Sequence, residues 1–175
     1  QAGLKKTDVI LDAYSGVGTI GLIASSMVKK VLSVEIEKSA TADAMFNAKI
    51  NNIKNVSFFN DDASNFIVNL ANRKEHMDAI IMDPPSYGRG ANGEVWKFEE
   101  NIDELIKLCS KVLSDDPLFF LVNSYTTGIS STVIENILKM DLKIKRGKYS
   151  CGEIGLPMTD SKLTLPCGIF AKWEK

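Results

Sequence analysis

Val9-Ile10-Leu11-Asp12-Ala13-Tyr14-Ser15-Gly16-Val17-Gly18-Thr19-Ile20-Gly21 runs from an apolar segment through an acid into a glycine-rich turn. Val9, Ile10 and Leu11 are apolar, the first two β-branched, and read as a short buried strand. Asp12 ends it, two close glycines make a loop, and Ile20, Leu22, Ile23 and Ala24 begin a helical stripe. Strand, glycine loop and helix together bring bare backbone close to a nucleotide-like ligand. Gly16 and Gly18 permit positive φ and put no Cβ in that ligand's way.

Gly16, Gly18 and Gly21 also satisfy G-x-G-x-x-G, with Glu35 about where a ribose-binding acid belongs. Alone, the motif fits NAD, FAD, S-adenosylmethionine or a structural turn. Asp12 weighs between them. A pyrophosphate needs the helix N-terminus directly off the strand, whereas Asp12-Ala13-Tyr14-Ser15 intervene here. A carboxylate beside the loop repels pyrophosphate and attracts an ammonium. S-adenosylmethionine has an ammonium and a sulfonium and no phosphate, so the charge pattern favours it.

The chain's 175 residues are enough for one domain with its own core. No apolar run reaches the length of a membrane span, and no signal peptide is visible. Cys109, Cys151 and Cys167 form no close pair and no metal spacing, which suits a reducing cytoplasm; no metal is expected. His76, the sole histidine, sits in a polar turn and is expected to be exposed. A net charge of −1 excludes a globally basic nucleic-acid binder but not a local basic face. The chain opens at Gln1 a few residues before its first strand, so we expect a fragment or processed product with an upstream part missing.

The strand exits repeat a pattern. Val31 to Glu35 is a second buried strand closing on an acid that can accept both hydroxyls of a ribose. Ser39 to Asn51 reads as a helix with Ser39 at its cap. The strand Val56 to Phe59 runs into Asn60-Asp61-Asp62-Ala63, where Asp62 is an adenine amino-group acceptor, a helix N-cap, or both. Met77 to Met82 is a buried strand leading into Asp83-Pro84-Pro85-Ser86-Tyr87-Gly88-Arg89-Gly90. Two prolines lock φ there and stiffen a corner that aims a carboxylate and carbonyls into the cleft. Residues 91–98 read as a loop and Glu99 to Leu113 as an amphipathic helix. Leu118 to Val122 is a strand exiting at Asn123-Ser124-Tyr125, and Ser130 to Met140 is a helix. Leu142 to Cys151 and Leu163 to Trp173 alternate like an antiparallel pair.

With these residues the chain resembles a class I S-adenosylmethionine-dependent methyltransferase over nearly its whole length. The resemblance implies an α/β, Rossmann-like, seven-stranded, mostly parallel sheet with an antiparallel last strand and helices on both faces. Residues 1–175 would then be a single catalytic domain, with the substrate-binding domain upstream. Carried over by position, Asp12, Tyr14, Gly16 and Gly18 meet the methionine end of the cofactor. Glu35 meets its ribose, Asp62 and Ala63 its adenine, and Asp83, Pro84, Pro85 and Tyr87 the target. The first half, through Val34-Glu35, is most similar to RNA uracil-5-methyltransferases. From Asp83 onward the chain departs from them, with Ser86 after the prolines and Asn123-Ser124-Tyr125 where Ser-Cys-Asn would carry the nucleophile. It instead resembles a group related to ribosomal-RNA enzymes, through Asp83 to Gly90, Glu94-Val95-Trp96-Lys97, Gly152 to Pro157 and Leu165-Pro166-Cys167-Gly168.

The resulting expectation is methylation of an RNA base, ribosomal RNA foremost, by direct transfer to nitrogen or oxygen. Asp83 orients or deprotonates the acceptor and the Pro84 carbonyl is a second acceptor. Tyr87 either stacks on the base or packs over the cofactor. Arg89 and Lys97 either contact phosphate or keep a loop soluble, and Lys143, Lys145, Arg146 and Lys148 are either an RNA strip or a solvated strand face. Cys151 and Cys167 are expected away from the attack position, so no covalent adduct is expected. Against this stand methylation of a small molecule or protein, an NAD-dependent oxidoreductase, and a non-catalytic remnant.

Overall fold

The computed structural model describes residues 3–90, 93 and 95–175. Gln1, Ala91 of the expected loop, and Glu94 of the motif quoted above lie outside the described residues. The chain runs β1 (Val9–Ala13), α1 (Thr19–Ser25), β2 (Lys30–Glu35), α2 (Lys38–Ile50), β3 (Val56–Asn60), α3 (Ala63–Arg73) and β4 (Ala79–Met82). A short pair follows, β5 (Tyr87–Arg89) and β6 (Val95–Lys97), and then α4 (Phe98–Ser110). The chain closes with β7 (Phe119–Ser124), α5 (Ser131–Asp141), β8 (Lys148–Pro157) and β9 (Thr164–Glu174).

Seven strands form one sheet, as expected for the fold, and their order is β3-β2-β1-β4-β7-β9-β8. The first five are parallel to one another, and β9 runs antiparallel to both β7 and β8. Pleating divides the apolar runs between two faces. Leu11, Ala13, Leu32, Val34, Ile80 and Met82 pack with Phe66 and Ile67 of α3, Ile102 and Ile106 of α4, and Ile134 and Leu138 of α5. Ile10, Val31, Ala79 and Ile81 pack on the other face with Ala24 of α1. Because β1, β2 and β3 step along the sheet in one direction, right-handed crossovers put α2 on the same face as α1. Each of the Val, Leu, Ile, Phe and Met side chains among these stabilises the fold by about 1.5–3 kcal/mol on burial, and the alanines by less.

This arrangement sends the exits of β1, β2, β3, β4 and β7 to one edge. Since β9 is antiparallel, its first residues arrive at that same edge, with Ile169 opposite Ser124 at the end of β7. The β8–β9 ladder continues past this point to Pro157 opposite Thr164, so the hairpin overhangs the edge. Within the overhang Ile154 pairs with Gly168 and Gly155 with Pro166. Cys167 is the extra residue of that β-bulge.

Several expectations need correction. The helical stripe begun by Ile20, Leu22, Ile23 and Ala24 is short, and α1 stops at Ser25. Glu37, not Ser39, stands at the cap of α2, and the Ser39 hydroxyl donates to the Glu37 side chain. The loop expected over 91–98 contains strand β6, paired with β5. Strand β8 begins at Lys148, and Leu142 instead caps α5. Lys148 pairs with Glu174, and Glu174 with Phe119 at the start of β7. The basic strip of Lys143, Lys145, Arg146 and Lys148 therefore lies by the edge opposite the strand exits, and Arg146 there is ion-paired with Asp116. His76 is exposed, as expected.

Candidate functional site

The glycine loop is built on two tight turns. Tyr14, Gly16 and Gly18 have φ of 61°, 53° and 83°, and Tyr14 is the one that holds a left-handed conformation with a side chain. An added Cβ on Gly18 would lie 3.1 Å from the Ala44 Cβ, so the glycine also lets α2 approach. Ser15 N–H donates to the Val34 carbonyl at 3.0 Å and Gly18 N–H to the Ser15 carbonyl at 2.9 Å.

Three carboxylates fix this half of the edge, each by accepting backbone N–H bonds. The Asp12 carboxylate takes the Gly21 N–H at 2.9 Å. Asp12 is 1% exposed and is not part of the cleft wall, so its position makes it a pin for the first turn of α1. Burial pushes its pKa up from 3.8 to about 7, with the Gly21 bond pulling down and Asp83 nearby pushing up. A Cβ on Gly21 would sit 2.7 Å from the same carboxylate oxygen, so glycine is required there for packing as well. Glu35 accepts from Gly16 N–H at 2.9 Å through one oxygen and from Glu37 N–H at 2.8 Å through the other. Asp62 caps α3 by accepting from Asn65 N–H at 3.0 Å, with Ala63 buried behind it. The cap role of Asp62 is thus present, and its side chain still borders the cleft.

A cavity of about 290 Å³ opens between these exits and the second group of strands. Tyr14, Glu35, Asp62, Asp83, Pro84 and Pro85 line it, together with Trp96 and Tyr125. Burial and the neighbouring Asp62 push the Tyr14 hydroxyl further above its ordinary range. Asp83 is held differently from the other acids. One of its oxygens accepts from Tyr125 Oη at 3.4 Å, a long bond. The other, Oδ1, is buried and has no partner among the described residues. Burial accordingly raises the Asp83 pKa, opposed by the Tyr125 bond, which makes its carboxylate a stronger proton acceptor than a solvated one.

The β5–β6 pair forms the outer wall. Tyr87 faces Lys97 and Gly88 faces Trp96 across it. Residues alternate between its two sides, so Gly88 and Trp96 turn toward the cavity while Tyr87 and Lys97 turn away. Tyr87 is 52% exposed, accepts a bond from Arg89 Nε at 3.2 Å, and is not among the cavity-lining residues. Trp96 donates from Nε1 to the Pro85 carbonyl at 2.7 Å, and its ring lies 5.8 Å from that of Tyr14. Beyond Trp96 a groove of about 770 Å³ runs between α3 and α4.

Trp96 and Tyr125 are the site residues the sequence reading did not single out. Trp96 was quoted only within Glu94-Val95-Trp96-Lys97 and Tyr125 only within Asn123-Ser124-Tyr125, and their place at the cleft depends on the β5–β6 pair and on where β7 ends. Cys167 is also nearer than expected: Gly168 beside it packs against Tyr125, where an added Cβ would lie 2.8 Å from the ring. Cys109 is fully buried in α4 against Met82, and burial pushes its thiol well above the usual range. Among the described residues no cluster of His, Cys, Asp and Glu could hold a metal ion, and no helix is long and apolar enough to cross a membrane.

Comparison with known proteins agrees with this geometry. An uncharacterized RNA methyltransferase of Fusobacterium nucleatum is 47% identical over 79 residues, covering 45% of this chain and 17% of the relative. One of Clostridium tetani is 33% identical over 142 residues, 80% of this chain and 29% of its own length. The chain thus spans only a minor part of the curated relatives it matches. The solved S-adenosylmethionine-dependent methyltransferase of Agrobacterium tumefaciens superposes with a TM-score of 0.90 at 23% identity, over 99% of this chain and 57% of that one. The family described as conserved hypothetical protein 95 matches residues 2–145, and the chain belongs to that family.

Proposed function

We propose that the chain is an S-adenosylmethionine-dependent methyltransferase that modifies a base of RNA, ribosomal RNA foremost, by direct methyl transfer. The observation that carries this reading is the row of acid-tipped strand exits around one cleft, with Asp83 set apart from the rest. Glu35 stands where it can take ribose hydroxyls, Asp62 and Ala63 where they can meet an adenine, and Gly16 and Gly18 where backbone can approach the methionine end. No Cβ-sized obstruction stands beside Gly16, so the loop leaves room for such a ligand. When bound, the cofactor supplies an electrophilic methyl group on a sulfonium.

The remaining work belongs to the chain's own residues. Asp83 and the Pro84-Pro85 corner hold the acceptor in line with the methyl, and this alignment is the main source of rate. Where the acceptor carries a proton, Asp83 accepts it, helped by the burial of Oδ1. RNA as substrate is supported by the names of the two relatives above, by Tyr87 and Lys97 standing on the outer side of the cleft wall, and by Arg89 bordering the cavity. Residues 1–175 act as the methyltransferase unit in this reading. The kinship of the part through Glu35 to uracil-5-methyltransferases, and of the part from Asp83 to the Asp-Pro-Pro-Ser-Tyr-Gly group, belongs to the same proposal.

Calorimetry with S-adenosylhomocysteine and with NAD tests the cofactor. The first should bind and the second should not, and the reverse result would end the methyltransferase reading. Tritium transfer from labelled S-adenosylmethionine to total RNA, against protein and small-molecule extracts, tests the substrate. Direct transfer is tested with RNA containing 5-fluoropyrimidine. No denaturation-resistant complex is expected; one that vanishes in Cys167→Ser would establish a covalent route instead.

A further inference from the structure

Resting on the reading above, we infer that Trp96 is a cofactor-contacting residue, and that the β5–β6 pair is a working wall of the cofactor site. Trp96, Ile36, Asp62 and Gly90 border both the 290 Å³ cavity and the 770 Å³ groove, so the two spaces meet at these residues. That junction lies beside the exit of β3, where Asp62 offers an acceptor to an exocyclic amino group. Ile36, just past β2, supplies an apolar surface, and the Trp96 indole supplies an aromatic one from the other element. A planar purine ring is the ligand portion that such surroundings suit.

The indole is also set rather than free. Its Nε1–H is committed to the Pro85 carbonyl at 2.7 Å, and Tyr14 lies 5.8 Å from it between ring centroids. Gly88 stands opposite Trp96 in the ladder, where an added Cβ would come within 3.7 Å of the Trp96 Cβ. Phe98 N–H donates to the Ser86 carbonyl at 3.0 Å and closes the base of the pair. Trp96 thus joins the cofactor surroundings to the Asp83-Pro84-Pro85 corner through one hydrogen bond. Cofactor contact on the indole face is transmitted to the corner that places the acceptor.

The chain has two tryptophans, Trp96 at the junction and the fully buried Trp173, so indole emission reports on the site. Titrating the protein with S-adenosylhomocysteine should quench the emission saturably, with the same Kd that calorimetry gives. In Trp96→Phe, which keeps an aromatic face and loses the bond to Pro85, that quenching should disappear while the ligand still binds. In Trp96→Leu the calorimetric Kd should rise about tenfold, the scale of one lost aromatic contact. Wild-type emission unmoved at saturation would overturn the inference, as would an unchanged Kd in a Trp96→Leu protein that melts like wild type. Either result leaves the methyltransferase reading standing. Absence of calorimetric binding to the wild type would instead remove that reading and the inference with it. If Trp96→Leu does not fold, the wild-type and Trp96→Phe titrations decide.

Discussion

The exits of β1, β2 and β3 and those of β4 and β7 occupy the same edge but are finished in different ways. On the first side every carboxylate that shapes the site is already engaged: Asp12 with Gly21, Glu35 with Gly16 and Glu37, Asp62 with Asn65. On the second, Asp83 has one oxygen on a 3.4 Å bond and the other buried with no partner among the described residues. Backbone N–H groups orient the first set before any ligand arrives. The second set keeps an acceptor at a cost in stability, as residues that act on protons commonly do. A row of similar acids thus divides into those held by backbone donors and one left unsatisfied, and under the proposed function the unsatisfied one is the group that acts on the substrate.

Under the proposed function the largest effect should come from Asp83. Asp83→Asn is expected to lower the transfer rate by about 10²–10⁴-fold, the range of general acid–base contributions, and to remove the acid limb of the pH–rate profile. Its Tm should hold or rise, because a buried oxygen without a donor loses its charge. Equal losses in transfer and in S-adenosylhomocysteine affinity would break the distinction. Next comes Glu35→Ala, which should weaken the cofactor by about 1.5–3 kcal/mol in calorimetry without unfolding the domain. It frees two loop N–H groups as well, so hydrogen exchange at Gly16 and Glu37 should accelerate even without ligand.

The smallest effect is a slope. The Asp12 pKa is raised by folding, so the native state binds more protons than the unfolded one across the interval. Its contribution therefore favours the fold at low pH and declines as pH rises from about 4 to about 7. That decline amounts to at most about 1.4 kcal/mol per pH unit for one group. Denaturant titrations of wild type and Asp12→Asn at several pH values should differ by this slope and run parallel above it. A slope unchanged by the substitution would show that Asp12 is not proton-linked to folding.

Most of the first side was legible because its signals are local. An apolar run closed by an acid marks a strand exit wherever it occurs, and the glycines at 16, 18 and 21 mark the turn between them. The second side was legible only as far as Asp83-Pro84-Pro85. Strands β5 and β6 are three residues each, too short for alternation to be read, so Trp96 looked like part of a loop. Tyr125 and Gly168 meet through the antiparallel pairing of β9 with β7, a fact of sheet order that no window of sequence contains. The same pairing moved the Lys143 to Lys148 strip to the wrong edge for a substrate held at the cleft. Local chemistry was readable, and the assembly of distant elements was not.

Strand β9 starts at the cleft and therefore finishes far from it. Lys175 N–H donates to the Leu118 carbonyl ahead of β7, and its ammonium meets Asp116. Residues 3–8 lead into β1 from that same side. A fluorophore, affinity handle or surface linker attached at either end would leave the cleft open. Immobilised through Lys175, the domain would present the edge that carries the cleft outward, a geometry suited to measuring ligand capture on a sensor chip.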